Sequence, residues 1–324
     1  MKAMLVNKNK DLVWTEVSDP VIKEDEVLVK ICAAGLNRAD LLQRQGKYPS
    51  PPGCPEWMGL EIAGEVAACG SAVSKWQVGD RVCALLGGGG YAQYVAVKED
   101  MCMPIPKGLS FVEAASLPEA YATSYLNLVF EGHLQTGQTV FVPAGASGLA
   151  SAAIPMAKAL GARVITSVRK TSQVEAVKAL GADRVICTET EAVEAALAEE
   201  EAAGTPVNVS MDCLCGETLD KSLPYMARYG YWIVISTLAG TETNIQLRPL
   251  LTKGLHLVGS TLRSRTPQFK AQLLQTLTET LWPLLEKGQL GPVIHAVLPM
   301  EQAEAAHNIL AKGGHIGKVV LTLS

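Results

Sequence analysis

The sequence predicts an α/β protein. A β-rich, loop-rich domain spans residues 1–120, a doubly wound parallel sheet spans 121–262, and a C-terminal segment, 263–324, is suited to rejoin the first domain. Three observations predict this. Residues 139–168 read as strand, small-residue loop, helix and second strand in about 30 residues, the length of a βαβ unit. Before residue 119 the chain holds short alternating runs (26–33, 61–68, 81–85 and 91–97) between turn signals such as Pro51-Pro52-Gly53, Gly79-Asp80 and the glycines of 87–90. From about residue 120, apolar strands alternate with helical patterns, as in a parallel sheet covered on both faces.

Within the βαβ unit, a β-branched run at 139–142 enters the loop Ala144-Gly145-Ala146-Ser147-Gly148. Ala153, Ala157 and Leu160 then share a helical face, and Gly161 ends the helix. Small loop residues let main chain come close to a ligand. Unpaired N–H groups and the positive dipole end of the following helix suit a pyrophosphate. Gly145-x-x-Gly148-x-Ala150 departs from the three-glycine fingerprint, so packing alone is the competing explanation. A nucleophile elbow is disfavoured, because Leu149 stands where that turn needs glycine. Pro155, inside the helix, predicts a kink near Ser151.

Taken in order, the chain opens as a strand, and residues 37–46 form a short amphipathic helix closed by Gly46. After the βαβ unit come a helix (172–180), a strand (184–187), an Ala/Glu-rich helix (191–203), a strand (207–213), a helix (219–227) and strands at 231–236 and 255–260. These complete six strands. The tail reads as a helix over 269–287 interrupted by Pro283, a strand (293–297), a helix (301–311) and a closing strand (318–323).

The composition, 48% hydrophobic and 19% charged, is too apolar for disorder. A net charge of −4 leaves no basic footprint for nucleic acid. No run of 18 uncharged apolar residues occurs, and the N-terminus begins as a strand rather than a basic leader, so a soluble cytoplasmic protein without a membrane partner is expected. Eight cysteines without C-x-x-C spacing read as reduced thiols, and the five histidines show no paired ligand spacing, so no metal is expected.

The end of the second strand of the unit bears on the coenzyme. NAD readers place an acid there for the ribose hydroxyls. This chain has Ser167-Val168-Arg169-Lys170, and no acid until Glu175. Arg169 can bond a 2′-phosphate bidentately, so NADPH is favoured over NADH, against the alternative of two solvated charges.

The motifs together resemble the zinc-independent quinone oxidoreductase (zeta-crystallin-like) branch of the medium-chain dehydrogenase/reductase superfamily. The resemblance covers essentially the whole chain. It is carried by Gly35-Leu36-Asn37-Arg38-Ala39-Asp40, Gln43-Arg44-Gln45-Gly46-Lys47-Tyr48, Gly59-Leu60-Glu61-Ile62-Ala63-Gly64, Val78-Gly79-Asp80-Arg81-Val82 and Gly88-Gly89-Gly90-Tyr91-Ala92-Gln93-Tyr94-Val95. Leu117-Pro118-Glu119-Ala120, Leu262-Arg263-Ser264-Arg265 and Ile316-Gly317-Lys318 add to it. The stretch from Asn37 to Tyr48 is especially similar to the stress-inducible quinone oxidoreductases of that branch.

The resemblance implies a GroES-like catalytic domain, a Rossmann domain, and homodimers formed through the latter. It also implies NADPH-dependent, metal-free reduction of quinones or related electron-poor carbonyl compounds by hydride transfer in an interdomain cleft. Asn37 and Leu60 fall where zinc-using relatives carry their Cys and His ligands, and neither side chain replaces a thiolate or imidazole. Asn37 and Tyr48 match positions beside the nicotinamide and substrate. Thr123 matches a residue at the nicotinamide end, and Gly145, Ala146, Ser147, Gly148 and Leu149 match the pyrophosphate loop. Ser236 and Leu238, and Ser260 and Leu262, follow later strands toward the nicotinamide half, and Lys318 matches a basic residue near the adenosine phosphate. Two departures stand out: Gln173 and Thr188 occupy places where relatives often carry a Lys and a Tyr for the 2′-phosphate.

Each site residue also has a plainer reading. Asn37 suits a helix cap, Tyr48 an exposed loop, Thr123 a helix start, Arg263 and Arg265 surface charges, and Asp212 a structural acid. Two other functions fit the same scaffold: an enoyl or enone reductase, and a coenzyme-binding structural or RNA-associated crystallin-like protein.

Overall fold

The computed structural model describes residues 1–323. The chain divides into two compact units, one made of Met1–Ala122 with the chain from Arg263 onward, the other of Thr123–Leu262.

The first unit begins with an antiparallel pair, β1 (Lys2–Val6) and β2 (Leu12–Glu16). Strand β3 (Glu26–Gly35) leads into helix α1 (Arg38–Arg44), followed by β4 (Glu61–Cys69), β5 (Arg81–Leu85), β6 (Tyr94–Lys98) and β7 (Cys102–Pro104). β3 alternates as a half-buried strand should, with Val27, Val29, Ile31 and Ala33 inside. β3 and β4 lie so close that a Cβ on Gly64 would sit 2.0 Å from the Lys30 carbonyl oxygen, which explains a glycine in mid-strand. Two short helices follow, α2 (Phe111–Ala114) and α3 (Pro118–Tyr125); from Thr123 on, α3 and the π-helix that continues it through Leu126–Glu131 belong to the second unit.

The second unit has β8 (Thr139–Val142), α4 (Ala150–Ala159), β9 (Arg163–Val168), α5 (Val174–Lys178), β10 (Arg184–Cys187), α6 (Val193–Ala202), β11 (Val207–Asp212), α7 (Glu217–Ser222), β12 (Met226–Val234), α8 (Leu247–Lys253) and β13 (His256–Gly259). Its six strands run parallel in the order β10-β9-β8-β11-β12-β13. Strand order reverses beside β8, which makes the carboxyl end of β8 the switch point of the sheet. Phe141, Ile165, Ile186, Val207 and Trp232 pack with Leu197, Leu219 and Leu223 into a core on one face.

The chain then re-enters the first unit with α9 (Pro267–Glu286), β14 (Ile294–Pro299), α10 (Ala303–Lys312) and β15 (Lys318–Thr322). There β14-β15-β3-β4-β5-β7 form one sheet, with β6 also on β3. The fold is therefore a GroES-like β-rich unit plus a Rossmann-type parallel sheet.

α4 continues through Pro155 to Ala159. Other local expectations differ from the structure. α9 is likewise continuous through Pro283, which lies in its last turn, where the helix is about to end in any case. The helix expected at 219–227 stops earlier. Pro224 lies in a 3-10 turn (Leu223–Tyr225), and β12 starts at Met226, five residues before the expected 231. Helix α8 shows no apolar stripe in the sequence because only Leu250 of its three leucines packs on the core; Leu247 and Leu251 are 69% and 82% exposed.

Candidate active site

In the first unit the site is built where β3 gives way to α1. Asn37 occupies the N-cap position in extended conformation, and the Asp40 carboxylate accepts its backbone N–H at 2.7 Å. The Asn37 side chain is thereby left for other partners. Its Nδ2 donates to Glu61 Oε1 at 2.9 Å, and its Oδ1 accepts from Lys318 Nζ at 2.7 Å. Lys318 also donates to the Leu36 carbonyl at 2.7 Å and pairs with Glu61 at 2.6 Å. The other Glu61 oxygen accepts the Glu119 N–H at 2.9 Å. Gly35 makes room for this: a Cβ there would lie 2.4 Å from Glu61 Oε1.

Asp40 is fully buried and also accepts from the Tyr91 hydroxyl (3.0 Å) and the Gly59 N–H (3.2 Å). Burial pushes its carboxyl up to about 6 against the pull of those bonds and of Lys318. Tyr91 in turn lies edge-on to His307, whose ring burial drives down to about 4.

Tyr48 is held by Arg263. The guanidinium stands 4.7 Å over the Tyr48 ring, and it donates to the Tyr48 carbonyl (3.3 Å), to Gln43 Oε1 (3.0 Å) and twice to the Gly87 carbonyl (2.9 and 2.5 Å). Arg263 is only 8% exposed, so it is a buried clamp rather than a surface charge. Burial, then the charge of Glu119, raises the Tyr48 hydroxyl above its usual range, with Arg263 opposing.

In the second unit, residues 144–149 follow β8 at the switch point. Ala144 is left-handed (φ 58°), and a Cβ on Gly145 would lie 2.3 Å from Thr166 Oγ1. Ser147 Oγ accepts the Ala150 N–H at 3.1 Å, so this serine starts the helix. The N–H groups of Ala146, Gly148 and Leu149 have no acceptor among the described residues. Three free amides at the start of a helix fit a pyrophosphate.

Ser167 is buried and ties β9 to this loop: its carbonyl accepts from Gly145 (2.7 Å) and its Oγ from the Ala144 N–H (3.4 Å). Arg169 and Lys170 follow it, exposed. Gln173 Oε1 takes the Lys170 N–H, and Thr188 Oγ1 donates to the Val168 carbonyl, so neither brings charge to that end of the sheet. Ser236 and Leu238 follow β12, and Ser260 and Leu262 follow β13, again at carboxyl ends. Thr123 lies on α3, its carbonyl bonded to Asn127 Nδ2. Asp212 is structural: it accepts from Leu214 and Cys215 N–H and from Trp232 Nε1.

One placement corrects the sequence reading. Lys318 was expected at the adenosine phosphate, but its three ammonium protons are taken up by Leu36, Asn37 and Glu61 inside the first unit, and none remains for a phosphate. Sequence reasoning also passed over Asp40 and Glu61 as site residues, although a charged residue on an inward-facing strand position, as in Glu61-Ile62-Ala63, is a readable signal. Glu189, whose carboxylate accepts from Thr171 N and Oγ1 near Lys170, was missed as well.

A family model described as the alcohol dehydrogenase GroES-like domain matches residues 23–107, and one described as zinc-binding dehydrogenase matches residues 148–279. A quinone oxidoreductase-like protein 2 homolog of Nematostella vectensis is 32% identical, over 94% of this chain and 87% of its own length. The chain belongs to the quinone oxidoreductase family of the medium-chain dehydrogenase/reductase superfamily. The quinone oxidoreductase of Thermus thermophilus, solved also in complex with NADPH, superposes with a TM-score of 0.83 at 30% identity over all of both chains. The CurK enoyl reductase superposes with a TM-score of 0.86 at 26% identity, over 100% of this chain and 99% of its own. The protein is thus an oxidoreductase of this superfamily with a dinucleotide-binding fold. No helix among the described residues is long and apolar enough to cross a membrane.

Proposed function

We propose that this protein reduces quinones or related electron-poor carbonyl compounds with NADPH and without a metal. One observation carries the metal-free reading. At the position where zinc-using relatives carry a thiolate, Asn37 holds a neutral amide locked between Lys318 and Glu61, and the partner position is a buried leucine, Leu60.

The coenzyme, when bound, supplies the hydride. The chain's own residues bind, orient and protonate. The amides of Ala146, Gly148 and Leu149 would hold the pyrophosphate, while Ser236, Leu238, Ser260, Leu262 and Thr123 would bound the nicotinamide half. Arg169 and Lys170 would meet a 2′-phosphate, and this supports NADPH over NADH. Lys318 adds nothing there, since its ammonium is spent inside the first unit, and Glu189 sets a negative charge near Lys170. Tyr48, a neutral phenol that burial makes a weaker acid than usual, would deliver a proton from Oη to the substrate oxygen. Easily reduced substrates need no stronger acid than this.

The likeness to the CurK enoyl reductase supports a second reading, an enone or enoyl reductase on the same residues. A homodimer through the second unit is supported by β13, an edge strand with one side unpaired, and by exposed Leu247, Leu251 and Leu257 beside it. Reduced, unpaired cysteines suit a cytoplasmic setting.

The test is stopped-flow oxidation of NADPH by a benzoquinone after exhaustive chelation. Turnover that survives chelation is expected. Absence of NADPH oxidation with every quinone and enone tried would end the proposal.

A further inference from the structure

The Asn37 amide is flanked by opposite charges, and this fixes which way it faces. Lys318 Nζ lies 2.7 Å from Oδ1, and Glu61 Oε1 lies 2.9 Å from Nδ2. Turning the amide over would set NH2 against an ammonium and oxygen against a carboxylate, replacing two attractions with two repulsions. Only one orientation is tenable. An amide nitrogen carries two protons, and Glu61 takes one. The other has no acceptor among the described residues, and the side chain is half-buried rather than sealed.

The surrounding charges are meanwhile spent on each other. Lys318 has three acceptors, Glu61 accepts on both oxygens, and the Asp40 carboxylate accepts three bonds. The amide proton is therefore the polar group this cluster has left to offer a ligand.

We infer that Lys318 and Glu61 are positioning residues that hold the Asn37 amide with its second N–H free to donate to the substrate oxygen on which negative charge develops. The inference rests on the proposed reduction of quinones or enones, and it deepens that reading by naming the group that meets the oxygen. Two electrons arrive with the hydride. Charge builds on the carbonyl oxygen, Asn37 donates a hydrogen bond without losing its proton, and Tyr48 or water then protonates the oxygen. A donor fixed before the reaction needs no reorganisation during it, which is why such donors are worth about 100-fold or more in rate.

The experiment uses the full chain, a series of substituted benzoquinones graded by electron demand, and four proteins: wild type, Asn37→Ala, Lys318→Met/Glu61→Gln, in which both buried charges are removed together so that neither is left unpaired, and the combination of all three substitutions. In Asn37→Ala and in the charge-removed variant kcat is expected to fall about 100-fold or more, with a steeper dependence on electron demand than wild type, while NADPH affinity by fluorescence titration stays within about twofold. Adding Asn37→Ala to the charge-removed variant should cost no further rate, because both act through one bond. Additive losses, an unchanged slope across the series, or weakened NADPH binding with kcat intact would overturn the assignment.

A second readout needs no turnover and no variant. In coenzyme-free wild type, NMR should show one Asn37 Nδ2 proton slow to exchange with solvent and the other fast. Two fast protons would overturn the clamp. Wild type inert toward every quinone and enone would instead defeat the underlying reduction, and the donor role with it, whatever the exchange result.

Discussion

Replacing Gly35 with alanine tests whether the Glu61 carboxylate is truly pinned. The added Cβ would lie 2.4 Å from Glu61 Oε1 and 2.6 Å from the Ala115 carbonyl oxygen, about 1 Å inside ordinary contact. Something must yield. If the β3 backbone retreats, the cost is that of overpacking, about 1–3 kcal/mol. If Glu61 retreats instead, its bonds to Lys318, Asn37 and the Glu119 N–H are disturbed, and breaking a buried pair costs about 3–5 kcal/mol. A loss of about 2–4 kcal/mol is expected for Gly35→Ala. Urea unfolding followed by tryptophan fluorescence reads the first unit well, because Trp14, Trp57, Trp76 and Trp282 belong to it and only Trp232 to the other. The nucleotide loop after β8 lies in the second unit, so NADPH binding should be nearly unchanged. A loss below about 0.5 kcal/mol, the size of an ordinary surface substitution, would show that Glu61 moves freely and would refute the picture of a locked cluster.

Asp40→Asn should flatten the pH dependence of first-unit stability. Because the carboxyl is raised in the folded state, from 3.8 to about 6, the folded protein binds the proton more tightly, and stability from this group is lost as pH rises between about 4 and 6. That loss amounts to about 3 kcal/mol. The variant should lack that slope, though an amide offered to three donors costs about 1–3 kcal/mol at low pH; an unchanged slope in urea melts across pH would contradict this. Arg169→Ala should raise KM for NADPH about 10- to 100-fold while leaving NADH nearly unaffected, the worth of one charge-assisted bond; equal effects on both coenzymes would count against the 2′-phosphate role. Arg263→Lys keeps the charge but loses the planar fork that spans Gly87, Gln43 and Tyr48, so stability should drop by about 2 kcal/mol and quinone KM should rise; wild-type melting and KM would show that the clamp is dispensable.

The fold was legible because its signals are local. The six strands of the second unit each announce themselves as apolar runs between turns, and the edges of β5, β8 and β10 fall where periodicity puts them. What stayed hidden depends on tertiary partners. β12 extends back to Met226 because it pairs with β11 across a register shift, which no local pattern reveals. α8 sets only Leu250 against the core, so its period carries little contrast. In the site, Asn37 could be named from its motif, but its partners could not. Lys318 lies 281 residues away in sequence and reaches Asn37 only because β15 pairs with β3. The motif match placed Lys318 at a phosphate; the strand pairing places it against Glu61.

The proposed reduction of an electron-poor carbonyl draws on NADPH and on this chain alone. Steady-state kcat/KM for a benzoquinone, measured side by side with NADPH and NADH on metal-stripped protein, tests it most directly. Robust turnover with NADPH is expected, with turnover at least about tenfold weaker with NADH. Turnover restored only by added zinc, or oxidation of neither coenzyme, would contradict it.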